Sequence, residues 1–99
     1  MVAIHNLFYK EAIHILLSVV YTAFPNKSEE IAKLANEVKG LKVDENLRII
    51  DLNEKEGEII LKELKKEITA RYGKGPFAFL EMFLKEPKNR ELRKILLEN

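Results

Sequence analysis

At 99 residues the chain has room for a single domain, 1–99, and with 46% hydrophobic and 33% charged residues it reads as globular rather than disordered. Its net charge of +1 gives no global pull toward nucleic acid or a membrane surface. The absence of cysteine excludes disulfides, thiolate catalysis and cysteine-ligated zinc, and favours a reducing, cytoplasmic setting. Of the 17 bases 13 are Lys, and of the 16 acids 14 are Glu, a thermophile-like balance against which seven Asn residues pull.

The first expected element is a long apolar helix over residues 3–24. From Ala12 to Phe24 only His14, Ser18, Tyr21 and Thr22 interrupt the apolar run. At about 100° per residue these four share a side with Lys10 and Glu11. The other side carries Phe8, Ala12, Ile13, Ile15, Leu16, Leu17, Val19, Val20, Ala23 and Phe24. An apolar arc wider than the ~100° stripe of a surface helix needs cover from several helices or another chain. The run of 13 residues falls short of the roughly 20 that span a bilayer, so no membrane segment is expected. Residues 1–9 hold no Lys or Arg, which argues against a signal peptide.

Pro25 stops this helix, and Asn26 or Ser28 is expected to cap a second one over 27–39. There Ile31, Leu34, Ala35 and Val38 recur at helical spacing, and Gly40 suits the position after its end. Residues 41–53 fit two structures. Val43, Leu47 and Ile50 match a short helix started by Asp44, while the same stretch resembles a hairpin turning at Asp44-Glu45-Asn46. An isolated hairpin is marginal, so a short helix or irregular connector is expected.

Asn53 and Glu56 have capping-box spacing and open a third helix over 54–72. Its apolar arc is Ile60, Leu61, Leu64, Ile68 and Tyr72, with acid-first pairs Glu58–Lys62 and Glu67–Arg71. Gly73-Lys74-Gly75-Pro76 is a stop and turn. Residues 76–86 form a short helix that is apolar nearly all round. Pro87 ends it, and Asn89 caps a last helix over 90–98 with Leu92, Ile95 and Leu96 on one face. The expected fold is all-α: a compact bundle of four or five helices around the long apolar N-terminal helix.

No catalytic, cofactor or metal constellation emerges. Glu11 and His14 have the i,i+3 spacing of a dimetal carboxylate site, but His5 lacks the matching Glu. His14 and Ser18 lie one turn apart, yet a mid-helix serine has no free backbone donors for an oxyanion. Ser18 is expected instead to ease a helix crossing or to bond back to the His14 carbonyl. The glycines around Lys74 lack phosphate-loop spacing. A helix-turn-helix over 31–52 would carry an acidic reading helix with Asp44, Glu45 and Asp51.

Two surfaces remain. Phe77, Phe79, Leu80, Met82, Phe83 and Leu84 cannot all face one core, which marks Phe77, Phe79, Met82 and Phe83 as an interface for a second copy or a protein partner. Residues 60–94 hold ten bases against five acids, a local excess hidden by the neutral total. Lys62, Lys65, Lys66, Lys74, Arg90, Arg93 and Lys94 are its candidate nucleic-acid contacts. The chain is therefore expected to be a non-enzymatic helical interaction or assembly protein, self-associating or docking on a larger partner. The alternative is a nucleic-acid-binding accessory or regulatory protein using the basic 62–94 region.

Overall fold

The computed structural model describes the backbone of residues 2–97 and the side chains of residues 8–97 other than Phe83 and Lys88. The elements are α1 (Val2–Ala23), α2 (Ser28–Asn36), β1 (Leu41–Val43), β2 (Ile49–Leu52), α3 (Gly57–Tyr72), α4 (Phe77–Phe83) and α5 (Arg90–Leu97). Single 3-10 turns, Pro25–Lys27, Glu54–Glu56 and Pro87–Asn89, lead into α2, α3 and α5. The radius of gyration of 12.5 Å matches the ~13 Å of a compact chain of this length.

The fold is mainly helical rather than all-α, because residues 41–52 form an antiparallel hairpin and not the expected short helix. Four local features build it. Gly40 takes φ +91°, a left-handed conformation that directs the chain away from α2 and into β1. Its carbonyl accepts from the Asn53 N–H at 2.8 Å, closing the open end of the ladder. At the turn, one Asp44 carboxylate oxygen accepts from the N–H groups of Asn46 and Arg48, both at 2.9 Å. Asp44 thus serves as a turn residue rather than a helix start. Leu47 sits at φ +63°, which costs about 1–2 kcal/mol in a residue with a Cβ. Its side chain is 3% exposed, and burying a leucine is worth roughly 1.5–3 kcal/mol, so the turn holds.

A hairpin this short needs support, and α2 supplies it. Leu41 and Val43 face the core with Leu47. The Asn36 side chain acts as one more rung of the sheet. Its Oδ1 accepts from the Val43 N–H at 2.7 Å, and its Nδ2 donates to the Val43 carbonyl at 3.2 Å. The outer edge of β1 is closed at that residue.

One hydrophobic cluster receives side chains from every element. From α1 come Ala12, Ile13, Leu16, Leu17, Val19 and Val20, from α2 Ile31, Leu34 and Ala35, from α3 Ile60, Leu61, Leu64 and Ile68, from α4 and the residue after it Leu80 and Leu84, and from α5 Leu92 and Leu96. α1 packs against α3, α4 and α5, and α2 packs against β1 and α3. Gly57 opens α3 close against α1. A Cβ there would lie 2.8 Å from the Tyr9 Cβ. At the other end of α3, Tyr72 stacks at a tilt on Phe24, with ring centroids 5.3 Å apart. Lys27 Nζ lies 5.7 Å from the centre of the same ring.

The caps differ from the expected ones. A 3-10 turn intervenes before α2, so Lys27 precedes it with no side-chain cap. At α3 the Asn53 N–H is already used by Gly40. Glu56 therefore accepts from the Asn53 side-chain amide at 2.9 Å, while Asn53 Oδ1 accepts from the Lys55 N–H at 3.3 Å.

Two substitutions test this account. Asn36→Ala should lower stability by about 1–2 kcal/mol in urea unfolding. Asn36→Asp should not rescue it, because a carboxylate oxygen would then face the Val43 carbonyl. Gly57→Ala should also destabilise, by about 1–2 kcal/mol, although alanine is the better helix former by up to ~1 kcal/mol. A rise in melting temperature for Gly57→Ala would mean that α1 and α3 can separate without cost.

Candidate functional site

The polar side of α1 faces solvent: Lys10, Glu11, His14, Ser18 and Thr22 are all exposed. Lys10 Nζ lies 3.4 Å from Glu54 Oε1 and ties α1 to the turn before α3. The back-bond on this face is made by Thr22, whose hydroxyl donates to the Ser18 carbonyl at 2.9 Å, and not by Ser18 to the His14 carbonyl as expected. Glu11, His14 and Ser18 thus share a helical face whose backbone N–H groups are engaged in the helix, which leaves no donor for an oxyanion. Among the described residues no group of three or more His, Asp or Glu side chains is placed to hold a metal ion. The side chain of His5 lies outside the described residues.

His14 does border a cleft that the linear sequence hides, because the hairpin forms its other wall. The cleft, about 520 Å³, lies between α1 and β2 and is lined by Lys10, His14, Arg48, Ile49, Ile50, Asp51, Leu52 and Glu54. Charges of both signs meet here. Asp51 already accepts from the Leu52 N–H at 2.9 Å, and Glu54 pairs with Lys10. No serine, threonine or cysteine lines it, so it offers no side-chain hydroxyl or thiol nucleophile.

α4 divides its apolar residues between two sides. Leu80 and Leu84 are buried, and Phe77 is half-buried against the core. Phe79 and Met82 point outward, 40% and 76% exposed. The fourth expected interface residue, Phe83, has its side chain outside the described residues. Two further apolar side chains, Ile50 and Ile59, are exposed by 66% and 61% and had no signal in the sequence.

The basic residues separate into two groups. Lys62, Lys65, Lys66 and Lys74 line one open groove of about 640 Å³ with Thr69 and Ala70. Arg90, Arg93 and Lys94 are exposed on α5 and do not line it. Within the groove the lysines differ in how they are held. Lys62 Nζ lies 3.5 Å from Glu58 Oε2, one turn back along α3. Lys65 Nζ donates to the Ile95 carbonyl at 3.1 Å, fastening α3 to α5. Burial lowers the Lys65 pKa below the ordinary lysine value.

The Lys65 shift has a direct consequence. Between the lowered pKa and the ordinary value of 10.5, the unfolded chain holds a proton there more often than the folded chain does. The Lys65 contribution to stability therefore rises with pH across that window. Comparing the chain with its Lys65→Met variant cancels the tyrosines, whose raised pKa values act in the same range. The unaltered chain should gain melting temperature on the variant as pH rises toward 10.5. A constant difference would mean that Lys65 is as well solvated as a surface lysine.

Among the described residues no helix is long and apolar enough to cross a membrane. No protein-family model, curated protein sequence or solved structure significantly matches this chain.

Proposed function

We propose that the chain is a non-enzymatic helical assembly protein that pairs with a second copy of itself through the outer face of α4, with α1 as the central strut of a compact helical bundle. The observation that supports this is the Phe79–Met82 pair. These side chains stand one turn apart and exposed on a seven-residue helix whose opposite side is committed to the core. Single exposed apolar residues are ordinary, but two large neighbours on one short helix form the centre of a contact patch. Phe contributes a large rigid area, and Met adapts to an irregular opposing surface.

Two-fold symmetry favours self-pairing, since one patch then serves both copies. Glu81 beside the patch and Lys85 just past the end of α4 are both exposed. The patch is smaller than the ~1,200 Å² of a standard stable interface, so the association is weak and concentration-dependent.

A second reading is an accessory role on nucleic acid. What favours it is the groove on α3, where four lysines converge without a carboxylate among the lining residues.

Light scattering across a concentration series tests the first reading. The expected result is a monomer–dimer equilibrium, which Met82→Glu moves to monomer while the chain still unfolds cooperatively. A protein that stays monomeric at millimolar concentration overturns it.

A further inference from the structure

We infer that the groove on α3 binds the phosphate backbone of duplex nucleic acid without reading its sequence; this rests on the nucleic-acid reading above and assigns it to one surface. Two other open clefts mix signs. Asp51 and Glu54 line the one between α1 and β2, and Glu37, Glu63 and Glu67 line the one between α2 and α3. The α3 groove has four lysines, a threonine hydroxyl and an alanine, and no acid. In a chain of net charge +1, that local excess is a property of the fold's arrangement and not of composition.

Lys62 and Lys66 stand on successive turns of α3, separated by about 6 Å along its axis. Lys74 reaches the same groove from the turn after α3. Lys66 and Lys74 have no ion pair among the described residues. The Lys62–Glu58 pair joins two side chains that are 62% and 49% exposed, a contact weak enough for a phosphate to displace. Lys65 is held by Ile95, so it adds to the field rather than to the contacts.

What the groove lacks selects the partner. Protein interfaces are depleted in lysine and anchored by Tyr, Trp or Arg, none of which lines it. Single-strand binding relies on aromatic platforms for stacked bases, and these are absent among the lining residues too. Flexible ammonium groups around a small apolar floor match evenly spaced phosphates, whose neutralisation releases counterions and carries no base specificity. The bases on α5 lie elsewhere and are interrupted by Glu91.

The test is fluorescence anisotropy of the full chain with short DNA duplexes of two unrelated sequences. Both should bind equally. Three phosphate contacts, from Lys62, Lys66 and Lys74, give a log–log salt slope of about −2.7, or roughly 40-fold weaker binding from about 50 to about 200 mM salt. The double variant Lys62→Glu/Lys66→Glu should weaken binding at least about tenfold and remove about two units of slope. Lys62→Arg/Lys66→Arg should retain both, and Arg90→Glu/Arg93→Glu should change little. All four positions are exposed, and circular dichroism melting confirms that each variant folds. Binding lost in the α5 variant but kept in the α3 glutamate variant overturns the assignment to the groove and leaves the nucleic-acid reading standing. No binding to either duplex at low salt overturns both. Equal affinity for polyglutamate or phosphatidylserine vesicles overturns nucleic acid as the partner.

Discussion

The close approach of α3 to α1 at Gly57 decides where the rest of the molecule lies. With no side chain at that position, the first turn of α3 sits against the backbone side of Tyr9. From there the helix turns Ile60, Leu61, Leu64 and Ile68 into the core. The opposite side of α3 is then committed to solvent, and it carries Lys62 and Lys66. Asn53, between the end of β2 and the 3-10 turn that enters α3, meets the Gly40 carbonyl with its N–H and ends the hairpin. A bulkier residue at Gly57 would displace the groove and the hairpin together, because both hang from the entry to α3.

The hairpin illustrates how a weak element is held by non-local bonds. Its strands are three and four residues long, too short to persist alone. It persists because three buried apolar side chains and one asparagine amide fasten it to α2. The Asn36 amide spends both its donor and its acceptor on a single residue of β1. That geometry is available only to Asn or Gln, and among these only the shorter side chain is present in this sequence. Closing the β1 edge also withdraws it from pairing with other chains.

Much of the helical framework was legible because its stops are local. Pro25, the Gly73–Pro76 turn and Pro87 each act through the backbone of their own residues, and the observed helices end near them. The hairpin was not legible in the same way. Asp44 offers a side-chain acceptor that suits a helix cap and a tight turn equally, and Leu47 and Ile50 are three apart in either case. The deciding contacts, Asn36 to Val43 and Gly40 to Asn53, are polar bonds across 7 and 13 residues, which apolar periodicity does not register. The basic surface divides along the same line. Lys62 and Lys66 share a helix face by spacing alone. The arrival of Lys74 from a turn, and the capture of Lys65 by Ile95 across 30 residues, depend on how α4 and α5 fold back.

The two proposed surfaces are linked through the turn between α3 and α4. Lys74 lies in that turn, three residues before α4 begins, so the groove ends where the apolar helix starts. Each surface alone is weak: two exposed apolar side chains make a small interface, and three lysines make a salt-sensitive contact. Pairing through α4 would bring two grooves to either side of one axis. A duplex that engages one groove would then meet the second at high effective concentration, with no additional contact required. Binding along the duplex would in turn raise the local concentration of chains and favour pairing. A small protein with little net charge and a modest apolar patch can in this way reach an affinity that neither feature supplies alone, with the short Gly-Lys-Gly-Pro turn setting the geometry of both.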